Sequence, residues 1–211
     1  MPPDALSAEK RVTVIVLAGG SATRLPGKLA LPVNGEPMLL RVVRALSATG
    51  AQCIVAANDR LPAAIAARLR VPVVYDDRPG EGPLAALASS AAAVDTPYFF
   101  AAAGDMPGLD AAFVARVVLA AQAADWPDAV VPAHADGTLE PLAALYKAAP
   151  WLAAARIALG DGRRNVTAAL DGLRTIHYPI EPEDEAGLAN VNTPGDYERL
   201  RSASRVRDRR T

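Results

Sequence analysis

Val12-Thr-Val-Ile-Val-Leu-Ala-Gly-Gly-Ser-Ala-Thr-Arg-Leu-Pro-Gly-Lys28 is the stretch from which the fold can be read. From Val12 to Ala18 every residue is apolar or β-branched, the pattern of a strand buried on both faces. The run leads straight into Gly19-Gly20 and a short polar loop carrying Arg24 and Lys28. Glycines let backbone N–H groups approach an anion closely, and the two cations neutralise it. A strand ending in such a loop is a place to hold phosphates. The spacing is neither G-x-x-x-x-G-K-[ST] nor G-x-G-x-x-G, which sets aside a Walker loop and the usual dinucleotide-binding turn.

Beyond this loop, apolar runs alternate with helical patterns. Strands are expected at 53–57, 72–75 and 98–102. Helices are expected at 37–47, 61–69, from Gly82-Pro83 to about 94, and at 109–123. Strands alternating with helices imply a mostly parallel sheet covered on both faces, a three-layer α/β/α fold. The pattern then changes. Segments 129–134 and 139–146 flank Asp136-Gly137 and suggest an antiparallel hairpin in the C-terminal half. A helix at 151–159, a short helix to Leu170, a strand at 175–180 and a last helix at 194–201 follow. Thr193 is placed to cap that last helix.

The chain has 211 residues and one cysteine, Cys53. A chain of this length buries roughly 70% of its unfolded surface and needs no disulfide or metal staple. The expected organisation is a flexible segment 1–11, one domain over 12–202 and a basic tail over 203–211. Residues 1–11 are polar and Pro-rich without the apolar core of a signal peptide, and no run of about 18 apolar residues occurs. A cytoplasmic, non-membrane protein is the expectation. A net charge of −1 argues against a general nucleic-acid binder.

In an open parallel sheet, ligands lie beyond the carboxyl ends of the strands. Four polar clusters fall there: Gly19 to Lys28, Asn58-Asp59, Asp76-Asp77 and Asp105. Singly, each has a plain structural alternative, such as a tight turn, a solvated cation or a helix cap. Jointly, backbone donors, cations and separate carboxylates on one sheet edge suit a metal–nucleotide complex. Oxygen ligands favour Mg²⁺, which needs only one or two carboxylates besides phosphate oxygens. His134 and His177 lie far apart in sequence and outside metal-ligand spacings, and structural roles are expected for both. The scarcity of acid–base residues is itself informative. A phosphate monoester acceptor has a second pKa near 6 and is already a nucleophile at pH 7. Its attack on a phosphorus needs alignment and charge neutralisation rather than a general base.

Leu17-Ala-Gly-Gly-Ser-Ala-Thr-Arg24, Lys28-Leu-Ala-Leu-Pro32 and Asn34-Gly-Glu-Pro-Met38 resemble the opening of nucleotidyltransferases of the molybdenum cofactor guanylyltransferase type. Gly82-Pro-Leu-Ala-Ala86, Gly104-Asp-Met-Pro107, Glu140-Pro-Leu-Ala-Ala-Leu-Tyr146 and Ala189-Asn-Val-Asn-Thr-Pro194 extend the resemblance to nearly the whole domain. It implies a Rossmann-like, glycosyltransferase-A-like nucleotidyltransferase fold. The implied reaction joins GMP from GTP to the terminal phosphate of a molybdopterin-type cofactor, with release of pyrophosphate. By position, Leu17, Ala18, Gly19, Gly20, Asn58 and Asp76 would bind the nucleotide. Arg24 and Lys28 would neutralise its phosphates, Asp105 would hold Mg²⁺, and Asn190 and Asn192 would face the acceptor. Transient contact with molybdoenzymes or their chaperones is a further implication.

The chain departs from the family pattern in two places. Its glycine loop is one residue shorter than the usual form and lacks the acidic residue before the lysine. Gly104 stands where guanylyl members often carry cysteine, and Gly-Asp-x-Pro also suits cytidylyl relatives. The alternatives are therefore a cytidylyl or other nucleotidyltransferase acting on a related pterin or a sugar phosphate, and a nucleotide-sensing module without turnover.

Overall fold

The computed structural model describes residues 11–19, 24–76, 78 and 80–208, with side chains described as far as Ser202. Residues 1–10 of the proposed flexible start, Gly20 and the final residues 209–211 lie outside them, while Arg11 is described and its carbonyl accepts from Tyr98 N at 3.0 Å. The strands are β1 (Val12–Ala18), β2 (Pro32–Val33), β3 (Glu36–Pro37), β4 (Gln52–Ala57), β5 (Val73–Tyr75), β6 (Tyr98–Ala103), β7 (Ala129–Ala133), β8 (Ala143–Lys147) and β9 (Thr175–Pro179). The helices are α1 (Met38–Ser47), α2 (Ala63–Ala66), α3 (Pro83–Ala91), α4 (Ala111–Ala123), α5 (Ala148–Gly160), α6 (Glu185–Leu188) and α7 (Pro194–Asp208). Single 3₁₀ turns occupy Lys28–Ala30 and Val166–Leu170.

Seven strands form one sheet in the order β5-β4-β1-β6-β8-β7-β9. Among them β8 alone runs against its neighbours, antiparallel to both β6 and β7. The alternating strands and helices thus give the expected three layers. Every residue of β1 is buried, because the sheet is covered on both sides. Val14, Val16 and Ala18 point to the layer containing α1 and α4. Ile15 and Leu17 point to the layer of α3 and α5, where Phe99, Tyr146 and Trp151 pack ring against ring. A strand with two dry faces cannot show alternation, which is why its sequence is continuously apolar.

The structure revises several expected elements. The hairpin at Asp136-Gly137 forms its turn, with Gly137 N donating to His134 O at 2.9 Å and His134 N to Thr138 O at 2.8 Å, but its returning strand is shorter than 139–146. Strand β8 begins only at Ala143, and Leu139 makes a single bridge to Ala133. Helix α1 starts at Met38 rather than Pro37, because Pro37 closes a small hairpin. That hairpin pairs β2 with β3 around Asn34 and Gly35, both at positive φ. The helix expected at 61–69 shrinks to α2, and the last helix runs on to Asp208.

Two small packings hold the C-terminal segment against the first loop. Val33, Met38 and Val191 form a satellite cluster with Leu25, Tyr197 and Leu200, and the Tyr197 hydroxyl donates to Pro32 O at 2.7 Å. Further along, the loop after β6 crosses α6 backbone to backbone at Gly108 and Gly187. A Cβ on Gly108 would stand 2.7 Å from Ala186 O. Gly108→Ala is therefore expected to lower stability by about 1–3 kcal/mol through overpacking, read as a fall in denaturant midpoint. Gly160→Ala is the control. Its added methyl meets nothing within 4 Å, and the midpoint should stay level or rise.

Candidate active site

The chain steps from β1 to β4 and β5 on one side, then returns to β6 on the other side of β1. Connections leave β1 in opposite directions, which is the place where open α/β sheets make a crevice. A cavity of about 810 Å³ opens there, within the usual range for small-molecule sites. Its lining includes Leu17 near the end of β1 and Gly19 just after it, Asn58, Asp59 and Arg60 after β4, and Asp76 after β5. Asp105 after β6, Asn190 and Asn192 before α7, and Lys28, which touches both Asp105 and Asn192, complete the far end.

Lys28 is the central contact. Gly27 at φ +67° turns the chain so that the 3₁₀ turn can begin at Lys28. From there the ammonium pairs with Asp105 Oδ2 and donates to Asn192 Oδ1 at 2.7 Å. Both partners of the ion pair are mostly buried, at 13% and 14% exposure. One cation thus joins three segments far apart in sequence. Two oxygens from different segments converge on the point it occupies.

The Asn-x-Asn segment is itself fixed. Val191 N donates to Asp105 O at 2.9 Å. Asp196 Oδ2 accepts from the backbone N–H of Asn192 at 2.9 Å and of Thr193 at 2.7 Å, while Asp196 N donates to Thr193 Oγ1 at 3.2 Å. This is a reciprocal cap on α7, with the Asp in the role usually taken by Glu. Hydrogen bonds from Asn192 and Thr193 hold the Asp196 carboxyl below its ordinary value. Thr193 caps the helix as its position suggested.

The cavity brings together Leu17, Gly19, Lys28, Asn58, Asp76, Asp105, Asn190 and Asn192. Two expected residues lie elsewhere. The Ala18 side chain is buried in the α1/α4 layer, since alternation along β1 turns it from the cavity. Arg24 is exposed and is not among the cavity's lining residues. Gly20 lies outside the described residues. Arg60, by contrast, lines the cavity without having been expected there. Its signal was its place two residues after Asn58, whose Oδ1 accepts from Arg60 N at 3.0 Å.

His134 serves structure, as expected. Its ring lies between Glu140 (Nε2 to Oε1, 3.0 Å) and Glu185 (Nδ1 to Oε1, 3.2 Å), tying the β7–β8 connection to α6. The hydrogen bond to Glu140, then that to Glu185, raises its pKa above the ordinary 6.5. A raised value means the folded state favours the protonated ring. That stabilisation is complete below pH 6.5 and is lost as pH rises through the raised value. Wild-type stability should therefore fall between pH 6 and pH 8 relative to His134→Ala. Denaturant titrations showing the same difference between the two proteins at both pH values would contradict the assignment. His177 is exposed on β9.

The MobA-like NTP transferase domain matches residues 14–174 of this chain. The chain belongs to that family. Over 199 residues it is 31% identical to the "Probable molybdenum cofactor guanylyltransferase" of Natronomonas pharaonis, covering 90% of this chain and 96% of that one. It is 35% identical over 198 residues to the "Molybdenum cofactor guanylyltransferase" of Burkholderia ambifaria, covering 89% and 94%. In fold it is similar to the molybdopterin-guanine dinucleotide biosynthesis protein A of Archaeoglobus fulgidus, with a TM-score of 0.77, 23% identity and 90% and 97% coverage. As a MobA-like NTP transferase the chain is a nucleotidyltransferase, with its cavity at the switch point of the sheet. Among the described residues no helix is long and apolar enough to cross a membrane.

Proposed function

We propose that this chain transfers GMP from GTP to the terminal phosphate of a molybdopterin-type cofactor, forming the guanine dinucleotide and pyrophosphate. The observation that carries this reading is the convergence of Lys28, Asp105 and Asn192 at one point of the cavity. The names of relatives about one-third identical over nine-tenths of the chain support it.

The strand order supports one direction for the substrates. Phosphates lie centrally, at Gly19 and Lys28. The nucleoside extends toward Asn58 and Asp76 at the ends of β4 and β5. The acceptor lies beyond Asp105, against Asn190 and Asn192. An oxygen of the acceptor phosphate attacks the α-phosphorus. The new P–O bond forms as the bond to the β-phosphate oxygen breaks, and pyrophosphate leaves with the electron pair. The acceptor oxygen carries no proton at neutral pH, so the chain need supply no general base. Its residues supply alignment and positive charge.

Asp105 suits a divalent ion. Its carboxylate and the Asn192 amide oxygen already converge on one cation, the Lys28 ammonium. Among the described residues no group of three or more His, Cys, Asp or Glu forms a complete metal cage. Mg²⁺, which accepts one or two protein carboxylates plus phosphate oxygens and water, fits such a donor set. Bound there, it would offset the charge of the triphosphate and of the departing pyrophosphate. Lys28 would then release Asp105 and turn to the phosphates.

Incubation with each nucleoside triphosphate, Mg²⁺ and molybdopterin, followed by mass analysis, tests the whole reading. The guanine dinucleotide and pyrophosphate are expected, from GTP alone. A cytosine dinucleotide from CTP would replace the base assignment. Pyrophosphate release only with a sugar phosphate would replace the acceptor.

A further inference from the structure

The nucleoside end of the cavity holds a cation that phosphate binding does not use. Arg60 lines the cavity just beyond β4. Its backbone is fixed by two contacts to Asn58: Arg60 N donates to Asn58 Oδ1 at 3.0 Å, and Leu61 N donates to Asn58 O at 3.1 Å. This side-chain-closed turn is of the kind asparagine favours. The Arg60 guanidinium is exposed and has no hydrogen-bond or ion-pair partner among the described residues. It is a donor fork held at the rim of a binding cavity with nothing to donate to.

Its place along the sheet says which part of a nucleotide it meets. Neighbouring strands lie about 4.8 Å apart. Arg60 follows β4, one spacing from the phosphate loop after β1 and two, roughly 10 Å, from β6 and Asp105. With phosphates at Lys28 and the acceptor beyond Asp105, the base is the part that extends to Arg60. Guanine presents two adjacent acceptors, N7 and O6, on one edge. An arginine fork donates to both at once. Adenine sets an amino donor beside N7, which opposes a second donor. Cytosine lacks the paired acceptors on that edge and offers an amino donor instead.

We propose that Arg60 selects guanine by donating to its N7 and O6, an assignment that rests on the guanylyl reading of the same cavity.

The test uses GTP, CTP and 7-deaza-GTP, which keeps O6 but replaces N7 with carbon. Calorimetric affinities are measured for the wild type and for Arg60→Ala, without acceptor. The wild type is expected to prefer GTP to 7-deaza-GTP, and to lose about 5- to 100-fold in GTP affinity on Arg60→Ala, the range for a good two-point contact. Arg60→Ala should no longer distinguish GTP from 7-deaza-GTP. An unchanged ratio of the two in Arg60→Ala overturns the proposal. That outcome includes an equal loss for both nucleotides, which would make Arg60 a general attractor of negative charge. The guanylyl reading has its own control. A wild type that binds CTP in preference to GTP removes that reading, whereas a wild type that prefers GTP with an indifferent Arg60 removes only the present inference.

Discussion

Replacing Asp105 with asparagine is expected to lower nucleotidyl transfer by about 100- to 1,000-fold, the usual cost of removing one electrostatic stabiliser of a transition state. Fold and nucleotide cavity should survive. The substitution keeps the shape of the side chain and leaves the backbone bond from Val191 N to Asp105 O intact. It removes the charge that pairs with Lys28, and with it the hard anionic ligand a magnesium–triphosphate complex would require. Two readouts separate the effects. Product formation should collapse, while the thermal midpoint of the free protein moves only slightly. Full turnover by Asp105→Asn would take that carboxylate out of the mechanism.

The second large effect is expected from Lys28→Ala. The ammonium donates to two oxygens in the free protein and would donate to phosphate oxygens in the complex. A charge-assisted hydrogen bond contributes about 1.5–3 kcal/mol, so kcat/KM for GTP should fall by about 10- to 150-fold. Saturating GTP should also raise the melting temperature of Lys28→Ala less than that of the wild type, since ligand stabilisation follows affinity. The variant leaves Asp105 and Asn192 facing each other without a cation. A kcat/KM equal to the wild type would mean that Lys28 only neutralises Asp105 and has no part in nucleotide binding.

Much of the fold was legible because the decisive signals are local. Val12 to Ala18 reads as a doubly buried strand from its own composition. Asp105 reads as a site residue because it follows the buried run Tyr98–Ala103. The placement of β8 was not legible. Its sequence shows a strand near Tyr146, but only tertiary pairing decides that it enters between β6 and β7. The β2–β3 hairpin had a signal, Asn34-Gly35, the strongest short turn dipeptide. Its strands are two residues long and contain Pro32 and Pro37, so no strand pattern accompanied the turn. Helix α6 is four residues long with a glycine inside, too short for any periodicity.

The site divides the same way. Lys28 and Asp105 could be picked out by residue type and by position after strands. That one lysine holds Asp105 and Asn192 together could not, because the contact depends on how distant segments pack. Ala18 and Arg24 show the converse. The family resemblance suggested a site role for Ala18, and its place in the glycine loop one for Arg24, but strand alternation turns the Ala18 side chain inward and Arg24 is set outside the cavity lining. Arg60 escaped notice because a turn residue after Asn58 has no meaning until the sheet order sets the end of β4 beside the cavity.

The clasp formed by Lys28 also has a consequence for how the protein comes into being. Its two partners are separated from it by 77 and 164 positions along the polypeptide. The nearer contact spans less chain than the β1–β6 pairing of Val12 with Tyr98, but the farther one forms only after nearly the whole domain has condensed and must overcome the entropy of closing a long loop. The sheet can assemble from its parallel crossovers first, with the clasp fastening afterwards, when the segment from Asn190 to Asp196 docks. Competence for chemistry is then the final stage of maturation, reached only once the whole ribbon has been gathered.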